Sequence, residues 1–255
     1  MDRSRSTFAT PAIRKASRLL RAYHRHRVDG LDHVPLEGRC LVVVNHSFAT
    51  YDIGLLVEAI ERKTGRAARG LGDRALFSGP DEGRIANRFG VVLGNPDNAT
   101  RLLEAEALLL VAPGGMREAL RPSHERYRIR WQRRKGFVRL ALTTGTPIML
   151  AACPDADRLY RVYESKLTKA VYKHMRLPLP VLRGWGPTLV PRPVRLRHVL
   201  SEPIPPPDFG PDDLDDVVDA WHLRICDAME ELMVAARATR RGQARSLDRQ
   251  RSTMS

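Results

Sequence analysis

The chain has 255 residues, 43 Lys+Arg against 29 Asp+Glu, a formal net charge of +14, and a 43% apolar share. That length suits one large domain or two small ones and is ample for a buried core, and the apolar share excludes wholesale disorder. No stretch approaches the ~20 apolar residues that span a bilayer, the start MDRSRSTFAT carries no apolar signal segment, and the odd, widely spaced Cys40, Cys153 and Cys226 exclude a disulfide framework and suit a reducing compartment.

Residues 1–10 are polar and aperiodic, and read as a frayed terminus. Residues 11–27 read as a basic amphipathic helix, with Ile13, Leu19, Leu20 and Tyr23 opposite Arg14, Lys15, Arg18, Arg21, Arg25 and Arg27. Such a helix either lies on a membrane or docks on the domain by the same apolar side. Leu41 to Asn45 reads as a fully buried strand, followed by a helix over 52–63 with Thr50 as its cap. Residues 65–72 and 78–83 read as loops, 90–94 as a short strand, 97–107 as a helix capped by Asp97 or Asn98, and 108–112 as another buried strand stopped by Pro113-Gly114-Gly115.

A helix over 136–144 and a strand over 146–152 continue the alternation. A helix is expected over 158–174, a loop over 178–187, an edge strand over 194–199, and a long helix capped by Asp212 with Leu214, Val217, Val218, Trp221, Ile225, Met229 and Leu232 on one face. Residues 242–255 read as disordered. The predicted fold is therefore α/β, one domain with a mostly parallel central sheet flanked by helices. The organisation is a tail and basic helix over 1–27, the domain over 28–238, and a basic tail over 239–255.

Two strand exits carry the chemistry. His46 sits at the mouth of the first buried strand, and Asp52 follows in the first turn of the next helix. In open α/β sheets ligands bind at that mouth. A carboxylate on one imidazole nitrogen would fix the tautomer and support the charge formed when the other nitrogen takes a proton. The plainer alternative has Asp52 capping its helix and His46 bonding backbone. The second exit is Pro113-Gly114-Gly115-Met116-Arg117-Glu118, where glycines let the backbone approach a ligand and Arg117 can grip a phosphate or carboxylate.

From about Val28 to Pro207, these blocks resemble the glycerolipid (phospholipid/glycerol) acyltransferases, and within them the transmembrane-protein-68-like and diacylglycerol acyltransferase-type branch. The carriers are Asn45-His46 with five residues before Asp52, Pro113 to Glu118, Tyr127-x-Ile129-x-Trp131, Arg134 to Ala141, and Thr146-Pro147-Ile148. The stretch Phe89 to Asn95 lacks the Arg that ends the corresponding block elsewhere, which shifts the expected acceptor from a glycerol phosphate to a neutral lipid hydroxyl.

The resemblance implies a fold like that of the glycerol-3-phosphate acyltransferases and acyl transfer from acyl-CoA or acyl carrier protein to a lipid acceptor. It assigns His46 and Asp52 as catalytic and Gly114, Gly115, Arg117 and Glu118 as substrate-binding. Acyl-CoA would be a co-substrate, with no cofactor and no metal, since His24, His26, His33 and His124 lack ligand spacing with acidic partners. A peripheral protein on an anionic membrane surface, on the cytoplasmic side, is expected. The basic balance would equally attract nucleic acid, but no recognition motif is present and the cations are dispersed, so no nucleic-acid partner is expected. A lipid-binding relative without catalysis is the remaining alternative.

Overall fold

The computed structural model describes residues 11–77, 86, 90–163, 181–210 and 213–252. Seven strands build the main sheet: β1 (Arg27–Asp29), β2 (Cys40–Val44), β3 (Ala68–Gly72), β4 (Val91–Leu93), β5 (Leu108–Val111), β6 (Ile148–Ala152) and β9 (Arg197–Leu200). Their order is β1-β9-β6-β2-β5-β3-β4, and every pairing is parallel except β6 with β9. A separate antiparallel pair joins β7 (Arg161–Tyr163) to β8 (Val181–Arg183). The expected mostly parallel α/β domain is the one observed.

The run Cys-Leu-Val-Val-Val of β2 is buried at all five positions, as a central strand covered on both faces requires. Alternation sends its residues to opposite sides. Leu41 and Val43 join Leu109, Ile148 and Leu150 against one helical layer, while Val42 and Val44 join Leu110, Met149 and Ala151 against the other. The first layer holds α3 (Pro96–Glu104), α5 (Gly136–Thr143) and α6 (Leu214–Ser252), through Leu103, Val138, Ala141, Trp221, Ile225 and Met229. The second holds α2 (Tyr51–Thr64), through Leu56, Val57 and Ile60.

Helix α1 (Pro11–His24) docks on α2: Ser17 Oγ donates to Glu58 Oε2 at 2.6 Å and Arg21 pairs with the same oxygen at 3.3 Å, leaving Leu19 exposed.

Several expected boundaries move. The first helix ends at His24, because Arg25 adopts positive φ and residues 27–29 pair with β9. Residues 68–72, read as loop for their glycines, are inserted as β3 between β5 and β4. The strand placed at the sheet edge over 194–199 is β9, which lies inside the sheet between β1 and β6. Thr50 stands at the N-cap position of α2 as expected, but its φ is 57° and its hydroxyl makes no capping bond, turning back to Ser47 O at 3.4 Å. Asn95 caps α3, accepting from the Asn98 N–H at 2.7 Å with Pro96 in the first turn.

The helix expected over 158–174 is replaced at its start by a 3-10 turn over Pro154–Arg158 and by β7; residues 164–174 lie outside the described residues. Part of the loop expected over 178–187 is β8. The tail expected to be disordered continues α6 to Ser252, while the predicted cap Asp212 lies outside the described residues.

Candidate active site

Strands β2 and β5 are neighbours in the sheet, with Val43 opposite Val111, so their exits open side by side. Asn45 fixes the first exit. Its Oδ1 accepts from the Cys153 N–H at 2.7 Å and its Nδ2 donates to Cys153 O at 3.3 Å, tying the end of β2 to the end of β6. His46 follows, half-buried, and its main-chain N–H donates to Glu118 Oε1 at 3.3 Å. The two expected clusters therefore meet in direct contact.

His46 Nδ1 lies 2.8 Å from Ser47 O. A carbonyl can only accept, so Nδ1 carries the proton and Nε2 holds the free lone pair. Burial pushes the His46 pKa below its usual 6.5; the Ser47 carbonyl opposes this, and Arg121 and Arg134 add to it. The ring is a neutral imidazole near pH 7.

Asp52 does not reach His46 directly. Among the described residues its Oδ1 accepts from Ser47 Oγ at 3.0 Å, and its Oδ2 lies 4.0 Å from His198 Nε2. The carboxyl is wholly buried, which raises its pKa to about 6 against the restraining hydrogen bond from Ser47. Behind it, His26 Nε2 meets His198 Nδ1 at 3.0 Å. Asp52, Cys153 and His198 place one ligand atom each within 4.8 Å of one another, the one such group among the described residues that could hold an ion. Sequence spacing could not reveal it, since the three come from a helix start, a strand exit and β9.

At the second exit, α4 (Gly115–Ala119) is a single short helix. The Glu118 carboxylate folds back over Gly114, where any Cβ would overlap it. Gly115 has a φ of 48° and lies against the Arg134 guanidinium, whose Nη1 donates to Pro113 O at 2.7 Å. The Gly115 N–H is spent on Ala112 O at 3.1 Å; the Gly114 N–H has no hydrogen bond among the described residues.

Glu118 is buried, and burial raises its pKa to about 7, against the pull of Arg121 and the His46 N–H. Arg117 projects a different way, because consecutive helical residues diverge by about 100°. It is exposed and donates to Gln132 Oε1 at 3.3 Å, away from His46.

Sequence reasoning missed Arg121, Arg134, Ser47 and His198. Buried Arg121 pairs with Asp157 at 2.5 Å and Glu118 at 3.4 Å, and lies 3.5 Å from His46 O. Nothing distinguished it among 43 basic residues. Arg134 had a signal, since it opens one of the motif blocks. Beside this network a small cleft is lined by Phe48, Ala119, Arg126, Tyr160 and Val162 together with Glu118.

The family model described as diacylglycerol acyltransferase matches residues 77–242. A bovine (Bos taurus) protein described as "DGAT1/2-independent enzyme synthesizing storage lipids" is 30% identical over 184 residues, which cover 72% of this chain and 53% of that protein. An uncharacterized protein of Mycobacterium tuberculosis is 28% identical over 229 residues, covering 87% of this chain and 64% of the other. The crystal structure of the 1-acyl-sn-glycerophosphate (LPA) acyltransferase PlsC from Thermotoga maritima aligns with a TM-score of 0.47 and 15% identity, over 88% of this chain and 85% of that one.

The chain spans about half the length of the storage-lipid relatives it matches. The resemblance carried by the two strand-exit motifs is borne out. The chain belongs to the diacylglycerol acyltransferase family.

Proposed function

We propose that the protein transfers a fatty acyl group from a thioester, acyl-CoA or acyl carrier protein, to the hydroxyl of a glycerolipid or other lipid alcohol, with His46 as general base. The observation that carries this reading is the contact between the two strand exits. A neutral imidazole with its free nitrogen at Nε2 adjoins the turn whose Gly114 N–H has no hydrogen bond among the described residues. The family name and the storage-lipid description of the bovine relative add support.

A lipid hydroxyl is a weak nucleophile at neutral pH. His46 Nε2 takes its proton as the oxygen attacks the thioester carbonyl, a contribution of roughly 10²–10⁴-fold. The oxyanion that forms is stabilised by the Gly114 N–H and by the positive field of Arg134 behind the turn. The tetrahedral adduct then breaks its C–S bond, and the proton on His46 Nε2 passes to the departing thiolate. Exposed Arg117 is placed to hold a phosphate of the donor at the lip. The depressed His46 pKa keeps the base unprotonated at neutral pH. A lipid acceptor implies work at a membrane surface, on the cytoplasmic side in this reading. No helix among the described residues is long and apolar enough to cross a membrane.

Labelled acyl-CoA presented with a panel of monoacylglycerol, diacylglycerol, lysophospholipid and fatty alcohol tests the reading. Labelled product from one neutral acceptor, lost in His46→Ala, is expected. Turnover retained in His46→Ala removes the base.

A further inference from the structure

We propose that the tip formed by β8 and the turn that follows it, residues 181–190, is the element that enters the interface of an anionic lipid bilayer, next to the cleft of the candidate site. The inference deepens the acyltransferase reading, which requires a lipid surface, and its own evidence is independent of catalysis. Tyr163 and Val181 are paired across the two strands and both are exposed. Beyond them Trp185 is 62% exposed, Leu189 69% and Val190 50%. Large apolar side chains this exposed and this close in sequence mark an interaction surface. Tryptophan in particular favours the boundary between headgroups and acyl chains.

Part of the backbone of the tip is paired within it. Gly184 N donates to Thr188 O at 2.7 Å, Trp185 N to Val190 O at 2.7 Å, and Thr188 N to Trp185 O at 3.2 Å. Thr188 Oγ1 donates to Trp185 O at 2.7 Å and accepts from Val190 N at 3.1 Å. These bonds hold the turn's shape, and its remaining backbone groups suit the hydrated headgroup layer rather than the acyl core. Gly184 is required for that shape, because a Cβ there would overlap the Val190 carbonyl.

The rim is cationic. Arg161 and Arg183 are directly paired in register and exposed, and Arg195 is exposed nearby in sequence. Cations near an anionic leaflet strengthen binding to it. The same Arg161–Arg183 pair on a chain of net charge +14 opposes a second copy as the occupant. The tip also touches the site: Tyr160 OH donates to Leu189 O at 3.1 Å, and the Tyr160 ring meets Phe48, two residues from His46, edge-on at 5.5 Å. Tyr160 and Phe48 both line the cleft beside Glu118. A lipid entering from the bilayer therefore meets the cleft wall where the tip ends.

The chain carries its own reporter. Of its three tryptophans, Trp131 and Trp221 are buried and Trp185 is exposed. The experiment titrates the full chain with vesicles of phosphatidylcholine and phosphatidylglycerol at about three to one, and with pure phosphatidylcholine, reading tryptophan emission and co-sedimentation. Binding with a blue shift is expected on the anionic vesicles, absent in Trp185→Phe, which still sediments.

Trp185→Ser combined with Leu189→Ser is expected to weaken vesicle binding about tenfold or more, with unfolding unchanged. His46→Ala is expected to bind as the wild type does, so loss of the catalytic reading and loss of this one are distinguishable. Sedimentation without a shift, unchanged binding in the double variant, or a shift that follows protein concentration without vesicles overturns the proposal, the last in favour of a second copy.

Discussion

Ser47 stands between the two residues expected to form a dyad: its carbonyl oxygen takes the His46 Nδ1 proton at 2.8 Å, and its hydroxyl donates to Asp52 Oδ1 at 3.0 Å. The backbone carbonyl, rather than a carboxylate, sets the His46 tautomer. Asp52 acts one step removed, by holding the residue that carries that carbonyl.

Asp52→Asn is therefore expected to lower kcat by less than about tenfold, with KM little changed. The amide fills the same space and still accepts from Ser47 Oγ. His46→Ala is expected to cost more. A loss in Asp52→Asn equal to that of His46→Ala, in steady-state kinetics of both variants, would mean that the carboxylate touches the imidazole in the working enzyme.

The two arginines of the second exit are expected to separate cleanly. Arg121 is buried between Glu118 and Asp157, so Arg121→Ala strands two carboxylates in the interior. Breaking a buried pair from one side costs about 3–5 kcal/mol. Arg117 is exposed, and Arg117→Ala is expected to shift stability by less than about 0.5 kcal/mol while raising KM for a phosphate-bearing donor. Denaturant melts beside donor titrations check both, and equal stability losses would contradict the buried placement of Arg121.

A glycine comparison tests the cradle. Gly114→Ala must push the Glu118 carboxylate off the turn and away from the His46 N–H, and is expected to lower activity sharply. Gly54 lies inside α2 with open space around a would-be Cβ. Gly54→Ala is expected to raise stability by about 0.5–1 kcal/mol through helix propensity alone and to leave kcat unchanged. Activity retained in Gly114→Ala would show that the close packing of Glu118 is dispensable.

The fold was legible wherever burial was two-sided. The apolar runs of β2, β5 and β6 declared a parallel sheet, and the two strand-exit motifs marked the candidate site. Elements fixed by distant pairing were not legible. β3 is a glycine-rich strand that exists because β4 and β5 flank it, and β9 owes its interior place to an antiparallel pairing with β6 and a parallel one with β1. The same holds inside the site. His46 and the glycine turn announced themselves by local motif, whereas His198 reaches Asp52 only because residue 198 lies on that interior strand. Spacing does not say which of two adjacent helical residues faces inward; it is Glu118 that is buried and Arg117 that is exposed.

The buried histidines behind the site make a signed prediction about acid stability. Burial lowers the His26 pKa from 6.5 to about 4, ahead of repulsion from Arg21, and lowers His198 well below 6.5. Between about pH 6.5 and 4 the unfolded chain binds more protons at His26 than the folded one, so this group removes stability as pH falls, by about 3 kcal/mol in all. Glu118 acts in the opposite sense. Its folded pKa of about 7 exceeds the unfolded 4.5, so it adds stability as pH falls through the same window. The two act in opposite senses on the wild-type curve, alongside Asp52 and the other buried histidines. Differences expose them: His26→Gln retains an amide donor toward His198 Nδ1 and no longer titrates. The stability of wild type relative to His26→Gln is therefore expected to fall on going from pH 7 to pH 4, and relative to Glu118→Gln to rise. Urea melts of the three proteins at these two pH values measure both signs, and a His26→Gln difference independent of pH would place a charged imidazole where the structure has a neutral one.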